Sequence, residues 1–466
     1  MRIHFIGICG VAMSAIAIAL KEKGHTVTGS DAGFYPPISD HLKKSGINFY
    51  PGWHPEKMCA NGDPDLVVVG NVAGSTNPEW LTVQEKKLAY KSYPEVLAAY
   101  FINENSIVAA GTYGKTTTSA MLTHVFREAK MDPSWMYGGL TIDESPAAHI
   151  GKSKWSILEG DEYKTARWDD RAKFMLYSPT HLIITAIQWD HADLYPTEKK
   201  YFEAFNRLVS GIPDDGLVVY SIDKNEVVKT VKKYSAARTV SYGMHNDADY
   251  RYFGLEATRD GLTFTIAHTG QEFEIRSKML GGYNAENMTA VFAMATECGV
   301  PTKKIIEALA TFPGMKRRLE KRYSGAVDVI DDIAHSPAKA ESTLLNLHQT
   351  YTGKIIAVFE PNTGNRQKQS APLYKNAFSA ANHVIIPKLT KLKTTKGSKQ
   401  PMEAINLASV IQKTHNNVHC IEDDNELTDW LVENTNEGDV IAFLGSHSFR
   451  GMIEETVKKM ERKFKK

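Results

Sequence analysis

Four cysteines in 466 residues, Cys9, Cys59, Cys298 and Cys420, are too scattered for a disulfide framework. None is spaced Cys-x-x-Cys, so a zinc ribbon is excluded as well. The thiols read as reduced and buried, the usage of a cytoplasmic protein. Excess charge is also missing: 55 Lys and Arg stand against 54 Asp and Glu, a net charge of +1. Nothing in that balance draws a nucleic acid or another polyanion to the surface. There is no internal repeat and no low-complexity stretch. Long apolar runs are absent with one exception, Ile3 to Leu20, which follows the single Arg2 and has the length of a secretory leader. Gly7 and Gly10, spaced as a strand-to-helix turn, and the orderly continuation through Gly24-His-Thr-Val-Thr-Gly29 favour a folded start instead. Nothing else approaches the length of a membrane helix, so no membrane partner is expected.

What is present is ordinary in bulk, with 42% hydrophobic and 23% charged residues. The length predicts about three domains. Residues 1–105 alternate short apolar strands with helices: Ile3 to Gly7, a helix over Val11 to Lys21, Thr26 to Asp31, and Asp65 to Gly70 with its tail Asn71. That alternation predicts an α/β fold, a parallel sheet with helices on its faces and ligands at the carboxyl ends of its strands. Residues 106–313 form the second domain, with a strand over His181 to Ile187, a strand-rich section from Thr239 to Ser277, and a helix from Asn284 to Cys298. Residues 314–466 form the third, with strands at Asp328 to Asp332, Lys354 to Phe359 and Asp439 to Leu444. Its end, Met452 to Lys466, reads as an amphipathic helix whose lysines form a solvated face.

Three strand ends carry chemistry. Ala109-Ala-Gly-Thr-Tyr-Gly-Lys-Thr-Thr-Thr118 joins the apolar Ile107-Val108 to a helix-like Ser119 to Phe126. Gly111 and Gly114 let backbone N–H groups approach phosphate oxygens, and the helix dipole favours their charge. Lys115 reaches the β- and γ-phosphates, the Thr116 hydroxyl suits Mg²⁺, and Thr112 and Thr117 complete the cradle. Ala109 stands where a full Walker loop has Gly. Glu159, Asp161 and Glu162 follow one apolar run, and Asp190-His191 follows another. Glu162 and His191 beside the cradle would hold Mg²⁺ against ATP phosphates, with Thr116 as the third metal-binding residue. The first turn, Gly7-Ile-Cys-Gly10-Val-Ala-Met13, offers a diphosphate a helix N-terminus, and Asp31 suits a ribose hydroxyl or nucleobase. Cys9 and Met13 depart from the dinucleotide fingerprint, so a nicotinamide oxidoreductase is the weaker reading of this turn.

Together these motifs resemble the ATP-dependent Mur ligases of peptidoglycan synthesis and recycling, over essentially the whole chain. Gly-Thr-x-Gly-Lys-Thr-Thr-Thr at 111–118 resembles the family's phosphate loop, Glu159-Gly-Asp-Glu162 its Glu-Ala-Asp-Glu, and Asp190-His191 its Asp-His. Gly281-Gly-Tyr-Asn-Ala-Glu-Asn287 resembles Gly-x-His-Asn-x-x-Asn, which implies Asn284 and Asn287 near the adenine. Arg318-Leu-Glu320 and Asp331-Asp-Ile-Ala-His-Ser-Pro337 resemble the start of the third domain, implying that Arg318 and Asp332 complete the ATP site. The resemblance implies three roles in order: a Rossmann-like domain for a UDP-muramoyl substrate, a central P-loop ATPase domain, and a Rossmann-like C-terminal domain that closes over ATP and binds the incoming peptide. Gly7, Gly10, Met13, Ser30, Asp31 and Asn71 would then bind UDP-N-acetylmuramate. Lys115, Glu162, His191, Arg318 and His335 would be catalytic, His335 orienting the amine.

Two branches of the family share this N-terminal start, one adding L-alanine to UDP-N-acetylmuramate and one adding a murein tripeptide, L-alanyl-γ-D-glutamyl-meso-diaminopimelate. Tyr35-Pro-Pro-Ile-Ser39, Asp161-Glu-Tyr163, Asp169 to Phe174 and Trp189 to Leu194 resemble the tripeptide branch. Tyr113, Tyr283 and Ser336 stand where the family has histidines. Those replacements motivate the rival reading, a nucleotide-sugar-binding relative without catalysis. The expected assembly is a monomer or weak homo-oligomer.

Overall fold

The computed structural model describes residues 1–189, 194–390 and 401–464. His191, expected to bind Mg²⁺, and Asp190 before it therefore lie outside the described residues. The described chain divides into two compact units, one of residues 1–254, 264–275 and 285–312, the other of 255–263, 276–284 and 313–466. The α/β class with parallel sheets is present in both.

The first unit begins with a five-stranded parallel sheet in the order Asn48–Pro51, Thr26–Asp31, Arg2–Ile6, Leu66–Val69, Tyr90–Lys91. Its central strands are buried on both faces, which is why they read as apolar runs and not as alternation. Phe5 pairs with Gly29 on one side and Val68 on the other, and all the strands end on the same edge. Gly7 turns the chain there with φ +89° and opens helix Val11–Glu22.

The second sheet of this unit has ten strands. Its parallel heart runs Arg238–Gly243, Leu217–Ser221, His181–Ile184, Asn105–Ala110, Trp155–Gly160, Ser134–Met136, and an antiparallel Ala148–His149 closes that edge. The strand expected over His181 to Ile187 stops at Ile184, where its partner Asn105–Ala110 ends; Thr185 N still donates to Ala110 O at 3.1 Å, and its hydroxyl donates to the carbonyl oxygens of Ala110 and Tyr113. Helix Val11–Glu22 packs across onto Ala148–His149 and Ser134–Met136, so Ile16, Ala17 and Leu20 share one apolar core with Met136 and Ala148.

The second unit holds a six-stranded sheet ordered Glu320–Ser324, Asp328–Asp332, Val440–Gly445, Ile355–Glu360, His383–Pro387, Val418–Ile421, parallel except for its first strand. One face is covered by helices Pro337–Thr350 and Ala404–Ile411, the other by Asp424–Glu433 and Met452–Phe464. The last helix corrects the expectation of a purely solvated lysine face. Lys459 reaches Asp429 at 2.6 Å, and Lys463 donates to the carbonyls of Val432 and Thr435 at 2.5 and 2.6 Å. Those oxygens lie at and just beyond the C-terminal end of the neighbouring helix, where a cation is favoured. No helix among the described residues is long and apolar enough to cross a membrane.

Candidate active site

The strand Asn105–Ala110 delivers the chain to Gly111, and helix Lys115–Glu128 carries it away. Gly111 has φ +141° and Gly114 +80°, the second as the helix N-cap. A Cβ at Gly111 would lie 2.2 Å from Thr185 Oγ1, and one at Gly114 would lie 2.6 Å from Asn287 Oδ1. Both positions therefore require glycine for backbone reasons and for space. Thr112 staples the loop to the next strand end: its N–H donates to Ala186 O at 2.9 Å, its hydroxyl donates to Gln188 O, and it accepts from Gln188 N. Tyr201 OH lies 3.0 Å from the same hydroxyl.

Lys115 folds its ammonium over the loop, 2.7 Å from Gly111 O and 2.9 Å from Glu162 Oε2. Glu162 is buried, 1% exposed, and Tyr195 OH donates to its carbonyl. Thr116 Oγ1 donates to Glu159 Oε1 at 2.7 Å, and Gly138 N donates to Glu159 Oε2 at 2.6 Å. Thr117 is buried in the first helical turn, and Asn287 lies beside Gly114 with Thr118 Oγ1 at 3.5 Å. An ammonium, two carboxylates and a hydroxyl thus converge on a helix N-terminus lined by N–H groups, an arrangement built for polyphosphate. The donors also fit Mg²⁺, since they are all oxygen and are few. Among the described residues there is no group of three or more His, Cys, Asp or Glu that could hold a metal ion.

Two residues of this cluster carry no sequence-derived assignment. Glu159 holds Thr116, and its place at the strand end with Asp161 and Glu162 was the available signal. Lys173 pairs with Asp161 at 2.5 Å and is 7% exposed. Burial pushes the Asp161 carboxyl up, but the Lys173 ammonium against it prevails and holds it below the ordinary aspartate value. In the sequence Lys173 stands only inside the Asp169 to Phe174 stretch, with no role of its own.

At the first turn, Gly7 N and Ile8 N both donate to Ser30 O, at 2.8 and 3.0 Å. Asp31 accepts from Cys9 N at 2.8 Å and Ala32 N at 2.7 Å, which ties its carboxylate to the turn. Gly10 is exposed at the helix start, Met13 is buried beneath, and Asn71 is exposed. The Ser30 hydroxyl points into the domain, donating to Glu79 at 2.5 Å. Burial first, then the Asp31 charge, pushes the Cys9 thiol up to about 12, which favours the thiol over the thiolate.

In the second unit, Arg318 sits between two left-handed residues, Arg317 at φ +58° and Leu319 at +50°. Arg317, not singled out in the sequence, anchors that turn by donating to the carbonyls of Ser446, Gly445 and His447. Asp332 accepts from Leu319 N at 2.8 Å and Ala334 N at 2.9 Å, and its burial raises its pKa. Asn284 Nδ2 donates to Leu280 O at 2.8 Å. His335 Nδ1 lies 2.7 Å from Ile333 O, and burial, then the Lys339 charge, lowers its pKa. Ser336 caps helix Pro337–Thr350 through Lys339 N.

Three family models match the chain: "Mur ligase family, catalytic domain" at residues 2–104, "Mur ligase middle domain" at 109–295, and "Mur ligase, glutamate ligase domain" at 317–447. Two relatives named UDP-N-acetylmuramate–L-alanyl-gamma-D-glutamyl-meso-2,6-diaminoheptandioate ligase are similar to it. That of Haemophilus influenzae is 34% identical, covering 78% of this chain and 80% of its own. That of Escherichia coli is 30% identical and covers 99% of both. A UDP-N-acetylmuramate–L-alanine ligase of Bartonella bacilliformis is 28% identical over 96% of this chain and 93% of its own. The crystal structure of a murein peptide ligase from Psychrobacter arcticus matches with a TM-score of 0.70 and 25% identity, covering 99% of this chain and 98% of that one.

Proposed function

The chain belongs to the Mur ligase family of ATP-dependent, ADP-forming ligases, and from that premise we propose that it joins UDP-N-acetylmuramate to L-alanyl-γ-D-glutamyl-meso-diaminopimelate. The observation that carries the chemistry is the Lys115 ammonium, held between Gly111 O and Glu162 over a loop with two positive-φ glycines. The choice of acceptor draws support from the names of the two relatives at 34% and 30% identity and from the Tyr35 to Ser39 and Asp161 to Tyr163 stretches.

The lactyl carboxylate of the donor attacks the γ-phosphorus of ATP, and ADP leaves with the bridging oxygen's electron pair. The acyl phosphate so formed is attacked by the free amine of the tripeptide; the amide bond forms, the amine proton is released, and phosphate departs. Both partners of the first step are anions, so charge neutralisation and alignment carry the rate. Lys115 and the N–H groups from Gly111 to Thr116 neutralise the phosphates. Thr116, to which Glu159 is bonded, together with Glu162 and His191 would hold Mg²⁺, which supplies further positive charge at the phosphate oxygens when bound. Asn284, Asn287, Arg318 and Asp332 are assigned to ATP, His335 to the amine, and Gly7, Gly10, Met13, Asp31 and Asn71 to the UDP moiety. Ser30 acts there through its carbonyl, which organises the turn, since its hydroxyl is spent on Glu79. The proposal includes a cytoplasmic location and a monomer or weak homo-oligomer.

Phosphate release from ATP with UDP-N-acetylmuramate, compared between L-alanine and the tripeptide, tests it. Release with the tripeptide alone is expected. Release with L-alanine moves the protein to the other branch, represented by the 28% identical relative, and silence with both overturns the ligase activity.

A further inference from the structure

A small hairpin, Lys164–Ala166 paired antiparallel with Asp169–Ala172, follows directly on Glu162 and has no part in the chemistry above. Its tip and second strand read Arg167-Trp168-Asp169-Asp170-Arg171, four charges and one indole. A tryptophan among charges at a hairpin tip is costly to expose unless its ring is covered. Here one face of the ring lies against residues of the other sheet's layer, while Trp168 stays 38% exposed. Trp168 stacks on Trp80 with ring centroids 5.3 Å apart and planes 9° from parallel. Tyr90 closes the group edge-on to both indoles, at 5.0 and 5.2 Å, and the Arg167 guanidinium lies 5.3 Å from the Trp80 ring.

Each end of the hairpin is tied to one of the two glycine turns. At its base, Lys173 N donates to Tyr163 O and the Lys173 ammonium pairs with Asp161, next to the Glu162 that holds Lys115. The same ammonium lies 5.1 Å from the ring of Tyr93, which belongs to the first sheet's last helix, Tyr93–Tyr100. At the tip, Trp80 is preceded by Glu79, fully buried, whose carboxylate accepts from Ser30 Oγ, Tyr50 OH and His54 N. Ser30 O in turn receives Gly7 N and Ile8 N. A series of contacts therefore runs from Lys115 to Gly7 through the hairpin, buried at Glu162, Lys173, Trp80 and Glu79 and open to solvent at Trp168.

We propose that this hairpin is a strap that fixes the phosphate cradle against the first glycine turn, with Trp168 as a positioning residue for phosphoryl transfer. The proposal rests on the reading above, in which the donor's UDP lies on the first sheet and its carboxylate meets ATP at the cradle. A donor held at one end and attacked at the other tolerates little slack, because alignment of the reacting atoms is what the enzyme contributes. The hydrogen bonds that shape each glycine turn involve no residue of the hairpin, which adds a second tie between the two sheets beside the shared core of helix Val11–Glu22.

The test compares the whole chain with Trp168→Ala and Trp168→Phe. In Trp168→Ala, kcat for phosphate release falls at least tenfold, while the KM for ATP and the calorimetric affinity for UDP-N-acetylmuramate stay within twofold. Trp168→Phe, which keeps a stacking ring, restores kcat. Circular dichroism reads the stack separately: the exciton doublet of the indole pair is present in the unaltered chain and lost in both variants. In Trp168→Ala, an unchanged kcat with the doublet gone overturns the proposal, as does absence of the doublet from the unaltered chain. A fall in donor affinity as large as the fall in kcat also overturns it, since that marks damage to the first sheet. Should the unaltered chain ligate nothing, hydrogen exchange decides: lost protection at 26–31 and 78–85 in Trp168→Ala, with 115–128 unchanged, supports the strap, and unchanged protection throughout sinks it.

Discussion

Lys115 and Glu162 define the chemistry at the scale of single residues, and they also define its cost. Glu162 is 1% exposed, so removing its cation leaves a buried carboxylate short of a partner, a loss of about 3 kcal/mol. Lys115→Ala is therefore expected to abolish phosphate release and to lower the thermal midpoint. Adding Glu162→Gln should restore the midpoint without restoring activity, as read by scanning calorimetry and a phosphate assay. Gly114→Ala is expected to remove ADP binding measured calorimetrically, since its Cβ would meet Asn287 Oδ1 at 2.6 Å in a left-handed backbone. Asp161 yields a pH prediction with a definite sign. Its folded pKa lies below the ordinary value of about 3.9, so its bond to Lys173 stabilises the fold above that value and is lost as pH falls through the depressed one. Asp161→Asn should thus be less stable than the unaltered chain at neutral pH, the gap closing below about pH 3.9 in denaturant titrations. The sequence made Lys115 and Glu162 legible because a glycine loop and a strand end announce them. It did not reveal Lys173 or Arg317, whose partners lie 12 and about 128 residues away along the chain.

Elements were legible where burial on both faces writes an uninterrupted apolar run. Leu66–Val69 and Ile355–Glu360 fall within a residue or two of their expected places for that reason. Where an end is set by a partner strand that turns away, the pattern misleads, and this strand ends at Ile184, three residues early, as Asn105–Ala110 gives way to the Gly111 turn. The last helix misled in the same way, because alternating charge looks alike whether water or a neighbouring helix receives it. Lys463 bonds two carbonyls and Lys458 is mostly solvated. Lys463→Ala should therefore cost about 1 kcal/mol and Lys458→Ala almost nothing, measured by chemical denaturation.

At the scale of the whole molecule, the chain visits its second unit three times, at 255–263, 276–284 and 313–466. Such interleaving leaves no trace in local sequence, since it is set by contacts between distant segments. Arg259 pairs at 2.5 Å with Asp328, which is fully buried, and Gly282 N donates to Asn346 at 2.9 Å. A fragment beginning at Pro313 loses both, and its thermal midpoint is expected below that of the same unit within the intact chain, measured by calorimetry. The helix Val11–Glu22 has the same character, lying in one core with Met136 and Ala148. Anyone building chimaeras between this ligase and its relatives meets that helix first. An exchange at the seam near residue 105 would pair a foreign helix with a native edge, so a working hybrid must transplant the stretch 134–150 together with the amino-terminal sheet.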